Sequence, residues 1–439
     1  MKMSEAHGLS SVMLPIIPQT TMRMALAPSL AYIVFPPGGD DLNKGKLLSA
    51  FSLGYLSTQM AGGHVADRLG PRRVITAAML LGAVALGACS LASSPDHLFY
   101  AHVVLGMAQG PLFPCANAHL AGWLPPVERA FAATLLDSGN SVGSFVAMGA
   151  SGALAAALGW RATFVAYSFM SVAMALLWQL FSSESMAPPS PSPPPRKATA
   201  EAALSNVNKG DVQTDHLSTS GSIANLLSHA SVWSIFLAHF AFNFGVYFQN
   251  SWTPQFYGDE FKIRPEEAGL HFVLPHVANL SVKLFIAKPL MARLAASFSL
   301  GTCRKAFTCT GFIGSAASLG MLLVLRAPAG ADGEAVGALA RMRATTACFT
   351  ACMAFVALHP SGFKTSYMDV TRHRSGALSG VGNTIASAAS YIGPICVGRL
   401  LDMHTVPSGG WQPAFIMVIA INFVAAVSYG LAATADCLD

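Results

Sequence analysis

Charged residues are scarce in this sequence. Asp, Glu, Lys and Arg make up 11% of the 439 residues, whereas 53% are hydrophobic, and the mean hydropathy is +0.49. A soluble domain of ordinary composition carries about 25% charged residues, so that class is excluded. The sequence also lacks catalytic signatures such as HExxH, G-x-S-x-G and a phosphate-binding loop. An enzyme is therefore not expected.

Cysteines are few, and their positions do not predict a disulfide or metal framework. Most of the eight lie inside apolar stretches, which is typical of small hydrophobic side chains. Cys348 and Cys352 are one helical turn apart but have no His or acid beside them, so no zinc site is expected. The start, "MKMSEAHGLSS", lacks an apolar core followed by a cleavage site, which argues against a signal peptide.

The apolar residues are grouped into stretches long enough to cross a bilayer as helices. The twelve stretches are 11–35, 46–66, 74–94, 98–122, 131–158, 160–181, 231–254, 268–292, 303–325, 344–367, 376–400 and 411–434. Small residues four apart, such as Gly139 and Gly143, favour close helix packing in lipid. The sequence therefore predicts an all-α, multi-pass membrane protein with twelve transmembrane helices that contact the lipid bilayer.

One long polar interval, residues 183–230, divides the stretches into two sets of six. Its Pro- and Ser-rich sequence predicts a flexible linker between an N-terminal bundle over 11–182 and a C-terminal bundle over 231–434. Lys and Arg concentrate in the loops on the linker side, so the positive-inside bias places the linker and both termini in the cytoplasm or its equivalent. These basic loops alternate with spans and carry no aromatic stacking platform, which argues against nucleic-acid binding.

The two sets of six stretches also resemble each other. "GNSVGSFVAMG" followed by "GWRATF" in the first half has a counterpart in "GNTIASAASYIG" followed by "GWQPAF" in the second. Both pairs lie where the fifth helix of a half runs into the sixth, which indicates a duplication; chance similarity of Gly-rich apolar sequence is the alternative. Two parallel six-helix halves are similar to the plan of major facilitator transporters.

The run "GGHVADRLGPRR", between the second and third stretches, strengthens this resemblance. It resembles the superfamily loop signature G-x-x-x-D-R-x-G-x-R-R, matched by Gly63, Asp67, Arg68, Gly70, Arg72 and Arg73. The resemblance implies a gate, in which Asp67 at a helix end accepts bonds from neighbouring helix termini and Arg side chains and so biases the inward and outward populations. The alternative is that these bases only anchor the loop on the positive side.

A narrower resemblance covers most of the chain outside the linker. Segments such as "SAFSLGYLSTQMAGGHVADRLGPRRV", "AHFAFNFGVYFQNSWTPQFY" and W-x-P-P-x-E-R at 123–129 resemble the anion:cation symporter branch. The resemblance implies a monomeric secondary active transporter that moves a small anion, inorganic phosphate or an organic carboxylate, by alternating access. Na⁺ or H⁺ would be the coupling ion, with no other cofactor. Two locations are considered for the protein: the plasma membrane, or an organelle membrane such as that of a plastid or vacuole.

Two departures from the branch concern the fourth helix. The branch usually has R-x-L-x-G-x-x-E-G there, but this chain has "HVVLGMAQG", so that His102 replaces the Arg and Gln109 replaces the Glu. In the seventh helix, Phe242 stands where some members have Arg or His. These changes support one alternative function, a transport-deficient sensor or scaffold that keeps the carrier fold.

Ionisable and amide groups at membrane depth are costly to bury, which makes them candidates for function. The residues expected to bind substrate are Arg23, His102, Lys283, Asn140 and Asn383. For Arg23, which matches the branch's Arg in D-R-x-N, the alternative is snorkelling to an interface. His102 lies in the cavity or at the outer mouth of its helix, and the two asparagines either bind substrate or pack helices.

Two acids are expected to couple transport to an ion. Asp137 takes over from the missing Glu or, alternatively, pairs with Arg129 near the inner end of its helix. Asp369 matches an acid of the branch, and pairing with Arg372 or Arg374 is the alternative.

Three basic residues lie in or near the eighth stretch. Lys283 and Lys288 are five residues apart, about 140° around a helix, so that at most one is expected to face the cavity. His276 follows Pro275 and is predicted to be a buried, hydrogen-bonded histidine or to line a cavity at the proline kink.

Overall fold

The computed structural model describes residues 13–33, 41–113, 115, 116, 119, 126–182, 224–325, 334–371, 375–403 and 410–438. Most of the linker predicted over 183–230 lies outside these residues. All regular structure within them is helical. Nine helices of the described part are long and apolar enough to cross a membrane.

The helices follow the predicted stretches closely. The first half contains α1 (Met13–Met24), α2 (Asp41–Leu69), α3 (Pro71–Ser90), α4 (Pro95–Gln109), α5 (Pro126–Leu158) and α6 (Trp160–Phe181). The second half contains α7 (Ala230–Phe261), α8 (Gly269–Ala295), α9 (Leu300–Leu325), α10 (Glu334–Val356), α11 (Ser375–Met403) and α12 (Trp411–Ala432). The prediction of a twelve-helix, all-α membrane fold is confirmed.

Helix starts are marked by local sequence signals. Pro95 opens α4, where its missing N–H costs nothing, and the Ser94 hydroxyl accepts a hydrogen bond from the His97 N–H at 3.2 Å. Gly70 before α3 and Gly159 before α6 have φ of 84° and 83°, a backbone conformation that favours glycine. These short turns reverse the chain between adjacent antiparallel helices.

The tenth and eighth helices depart from a regular α-helix. The stretch predicted as one span over 344–367 is broken, because Pro360 cannot donate a backbone hydrogen bond; a 3₁₀ turn at His359–Ser361 precedes a short helix, Phe363–Asp369. In α8, residues Val282–Ala287 form a π-helical turn, a feature often found at functional sites. Both irregular segments carry a lysine that faces the interface between the halves.

Helix packing repeats with a shift of six helices. In the first half, α1 packs on α5, α2 on α4, and α3 on both α4 and α6; in the second, α7 packs on α11, α8 on α10, and α9 on both α10 and α12. The halves meet where α2 packs on α11 and α5 on α8, which are equivalent pairs under the same shift. This repetition confirms two pseudo-symmetric six-helix halves.

The two halves are in contact at the end of the bundle opposite to the linker. The Asp402 carboxylate accepts hydrogen bonds from the backbone N–H groups of Asp41, at 2.8 Å, and Leu42, at 2.9 Å. The Tyr32 hydroxyl donates to Glu266 across the same end. The carboxylate of Asp402 therefore caps the start of α2 in the other half, where the helix dipole favours negative charge.

Native and introduced cysteines test the predicted orientation of the chain. Cys437 is exposed, whereas the other seven cysteines are buried or half-buried. In sealed right-side-out vesicles, a membrane-impermeant maleimide is expected to spare Cys437 until the vesicles are opened. In a Cys437→Ser background, Ser93→Cys is expected to react in intact vesicles, because the loop between α3 and α4 lies on the opposite side. Labelling of Cys437 in intact vesicles would contradict a cytoplasmic C-terminus.

Candidate functional site

A cavity lies between the two halves of the bundle. The empty space among its lining residues is about 390 Å³, a figure that counts space open to solvent. The first half contributes Arg23, Met24, Leu26, Ala27, Leu48, Phe51, Ser52 and His102, and the second contributes Tyr247, Asn250, Ser251 and Ser390. A site lined by both halves can change its access when the halves move relative to each other.

Arg23 is the positive charge of this cavity. Its Nη1 donates to the Tyr247 hydroxyl of the other half at 2.8 Å, and its Cζ lies 5.1 Å from the Tyr247 ring centre and 5.6 Å from that of Phe51. Its Nε is buried without a hydrogen-bond partner. Of the described carboxylates, none lies at ion-pair distance from Arg23. The guanidinium thus retains donors for an anion.

His102 lines the same cavity and is wholly buried. Its Nδ1 lies 3.1 Å from the Leu98 carbonyl oxygen and 3.4 Å from Cys89 Sγ, and its ring packs edge-on against Phe164. Its Nε2 is buried and has no partner. When Nδ1–H donates to the Leu98 carbonyl, Nε2 of the neutral ring accepts a hydrogen bond from a protonated group of a ligand, and it donates to an anion when the ring is doubly protonated. Of the two alternatives for His102, the structure places it in the cavity.

Gln109, about two helical turns further along α4, is also wholly buried. Its Nε2 lies 3.9 Å from Met22 Sδ of α1, and its Oε1 has no partner. It does not belong to the set of residues that lines the Arg23 cavity.

Asp137 forms a second polar cluster between the halves. Its carboxylate lies 2.6 Å from Lys283 Nζ of α8 and 3.3 Å from Lys364 Nζ of the short helix Phe363–Asp369. Lys283 also donates to the Ser141 hydroxyl at 3.2 Å. That hydroxyl donates to Asn279, at 3.2 Å, whose amide donates to the Met353 carbonyl at 2.8 Å. The cluster joins α5 of the first half to α8 and α10 of the second.

This cluster changes the interpretation of two predicted residues. Lys283, expected to bind substrate beside Arg23, lies with Asp137 and does not line the Arg23 cavity. Lys288 is exposed, in accord with the prediction that at most one of the two lysines faces inward. Lys364 was missed by sequence reasoning, although a lysine inside the tenth apolar stretch was a signal for it. The side chain of Arg129, the alternative partner of Asp137, lies outside the described residues.

Asp369 pairs with a residue that the sequence did not point to. Its two carboxylate oxygens accept from Arg304 Nε at 2.7 Å and Nη2 at 3.4 Å, and Arg304 Nη1 donates to the Ser361 carbonyl at 2.8 Å. The pair fastens the start of α9 to the segment after α10. Arg372 and Arg374, the partners considered from sequence, lie outside the described residues.

The two asparagines occupy equivalent helices of the halves. The Asn140 Oδ1 accepts from the Thr20 hydroxyl of α1 at 2.7 Å, and Gly143 lies against the same threonine, so Asn140 takes part in packing α5 on α1. Asn383 is half-buried in α11. His276 is buried and lines a second cavity with Gln249, Asn250, Thr253 and other residues.

The loop motif is only partly described. Gly63 and Asp67 belong to α2, but their surroundings lie outside what the structure describes. Arg68 and Arg73 are exposed, and Gly70 forms the turn into α3. Arg72 donates to the Ser182 hydroxyl at 3.0 Å and to the Gln179 carbonyl at 2.6 Å, which fastens α3 to the end of α6. The gate role of Asp67 stays a prediction.

The fold and the cavity between its halves define a membrane transporter rather than an enzyme. Residues 9–394 match the family model of the Major Facilitator Superfamily. The chain belongs to this family, and it is an integral, multi-pass membrane protein.

Curated relatives agree with the resemblance to the anion:cation symporter branch. The chain is 28% identical over 410 residues to "Probable anion transporter 6" of Oryza sativa subsp. japonica, covering 89% of this chain and 88% of the relative. It is 26% identical over 433 residues to "Sodium-dependent phosphate transport protein 1, chloroplastic" of Arabidopsis thaliana, covering 97% and 78%.

A solved structure agrees on the fold. A bacterial homologue of the human lysosomal transporter Spinster matches with a TM-score of 0.70 over 98% of this chain and 97% of that one. The sequence identity of that pair is 16%, so the likeness concerns the fold alone.

Proposed function

We propose that the protein is a secondary active transporter that moves a small anion, inorganic phosphate or an organic carboxylate, by alternating access coupled to Na⁺ or H⁺. The anion binds in the cavity between the halves, in contact with Arg23 and His102. The relatives named as anion and phosphate transporters support this class of substrate.

One observation carries the proposal. Arg23 extends a guanidinium into a cavity shared by both halves, its Nε has no partner, and its bond to Tyr247 crosses from one half to the other. Guanidinium presents parallel donors that match carboxylate and phosphate oxygens. An anion that takes the place of the Tyr247 hydroxyl would break a contact between the halves, which links binding to their relative motion.

The remaining contacts between the halves fit a two-state carrier. Asp402 with the start of α2 closes the end opposite to the linker, and Asp137 with its two lysines bridges the halves deeper in the bundle. Rocking of two rigid six-helix bundles, 11–182 and 231–434, exchanges such contacts between the two ends. Asp67, at the end of α2, would bias this exchange from the linker side.

The test is uptake by the purified protein in proteoliposomes. Radiolabelled phosphate and a panel of carboxylates are offered with a Na⁺ gradient and a pH gradient imposed separately. We expect concentrative uptake of at least one anion under one of the gradients, and none in protein-free liposomes. Anion binding without uptake under either gradient would contradict the proposal and favour the transport-deficient sensor or scaffold suggested by His102 and Gln109.

A further inference from the structure

Two lysine ammonium groups share a single carboxylate between the halves. Lys283 and Lys364 lie 2.6 and 3.3 Å from the two carboxylate oxygens of Asp137. Among the described side chains, no second carboxylate is at ion-pair distance from either lysine. The cluster therefore carries one positive charge in excess of its negative charge.

The two lysines are not held equally. The Lys283 side chain is 6% exposed, makes the shorter contact with Asp137, and donates to the Ser141 hydroxyl as well. The Lys364 side chain is 26% exposed, and besides the longer contact with Asp137 its Nζ lies 4.2 Å from the centre of the Phe242 ring. An aromatic face compensates an ammonium less completely than a carboxylate does. Lys364 is thus the less satisfied and more accessible cation.

An uncompensated ammonium inside a membrane protein is unfavourable unless an anion or water meets it. Here Asp137 spans both lysines and occupies the place that an incoming anion would take. Asp137 lies about three helical turns from the linker-side start of α5, whereas the contact of Asp402 with the start of α2 lies at the opposite end of the bundle. The cluster is therefore placed towards the linker side of the interface between the halves.

We propose that Lys364 forms a second, transient site for the transported carboxylate or phosphate anion, and that Asp137, which Lys283 holds in place, competes with this anion for Lys364. The site rests on the proposed function, since its ligand is the transported anion. When the anion binds Lys364, Asp137 keeps its shorter contact with Lys283, so that each lysine has one negative partner. Lys364 then binds the anion transiently as it moves between the Arg23 cavity and the linker side.

Equilibrium binding of ³²P-labelled inorganic phosphate to the full-length protein in nanodiscs tests this site. The Arg23→Gln chain serves as background, so that the central cavity lacks its guanidinium. Adding Asp137→Asn is expected to tighten phosphate binding about tenfold, because one charged competitor is removed. Adding Lys364→Gln to that double variant is expected to abolish the gain, and Lys364→Arg to keep it. Lys288→Gln, which removes an exposed lysine of α8, is the matched control and should change nothing.

The outcomes separate this site from the proposed function. If the Arg23→Gln protein transports anions at the wild-type rate, the central site is contradicted. The tenfold gain in phosphate affinity on adding Asp137→Asn still tests the second site. Equal or weaker phosphate binding in Asp137→Asn overturns the second site. If Asp137→Asn does not fold, the comparison of Lys364→Gln with Lys364→Arg in the wild-type chain decides. A several-fold loss of phosphate affinity in Lys364→Gln but not in Lys364→Arg supports the second site. Unchanged phosphate affinity in Lys364→Gln overturns it.

Discussion

Replacement of Arg23 by Gln is expected to raise the Kd for the transported anion about a hundredfold, with the protein still folded. The side chain faces a cavity between the halves, carries a buried Nε without a partner, and has no described carboxylate beside it. Gln offers no charge, and a charged hydrogen bond contributes about 1.5–3 kcal/mol. Arg23→Lys keeps the charge without the parallel donors, so a rise of about tenfold is expected. Equilibrium binding and initial rates of uptake measure both changes.

Arg293→Gln provides the matched control for this prediction. Arg293 is exposed in the last turn of α8 and does not line the cavity. Its replacement is expected to leave the anion Kd unchanged. If Arg23→Gln transports anions as fast as the wild-type chain, Arg23 is not the anion site, and a neutral or cationic substrate becomes the better hypothesis.

Replacement of Gly106 by Leu is expected to remove most of the folded protein. A Cβ at Gly106 would overlap the backbone carbonyl of Phe51, and one at Gly54 would overlap that of Val103. These two glycines let the backbones of α2 and α4 touch, and backbone cannot move aside as a side chain can. Overpacking of a side-chain core costs about 1–3 kcal/mol, and a clash with backbone costs more. The monodisperse fraction after solubilisation and the Tm in detergent both report the loss.

Gly320 supplies the control for the glycine prediction. It lies in α9, where an added Cβ meets no atom within 4 Å. Gly320→Leu adds the same side chain to a helix of the other half and is expected to leave the monodisperse fraction and the Tm near those of the wild-type protein. Equal losses in the Gly106 and Gly320 variants would show that leucine in any helix is harmful and that the α2–α4 contact is not special.

Many residues of the candidate site could be predicted from the sequence, but which of them lie together could not. Arg23 and His102 were singled out because ionisable groups are costly at membrane depth, and they do share a cavity. The same reasoning predicted that Lys283 binds substrate together with Arg23, whereas in the structure Lys283 contacts Asp137. Depth along a helix can be estimated from sequence, whereas the direction of a side chain depends on helix rotation. In α8 the π-helical turn Val282–Ala287 alters that rotation.

For the ion pairs, too, the sequence predicted charged residues but not their partners. Asp369 and Arg304 are 65 residues apart and meet because α9 packs on α10 and the segment that follows it. Nearby arginines in the sequence were the natural alternatives, since local pairing needs no knowledge of the fold. Lys364 contacts Asp137 across 227 residues, because the break at Pro360 directs the short helix that carries it. A contact across such a separation cannot be obtained from residue spacing.

By itself the sequence determined the membrane class, the twelve helices and the two-half plan. These features follow from the length and spacing of apolar stretches, since a bilayer requires every spanning segment to be a long apolar helix. Only the tertiary structure decided which polar groups meet between the halves. It placed Arg23 with His102 and Tyr247 in one cavity, and Asp137 with two lysines in another cluster. Such contacts depend on helix rotation and on packing between residues far apart in the chain, which local hydropathy does not encode.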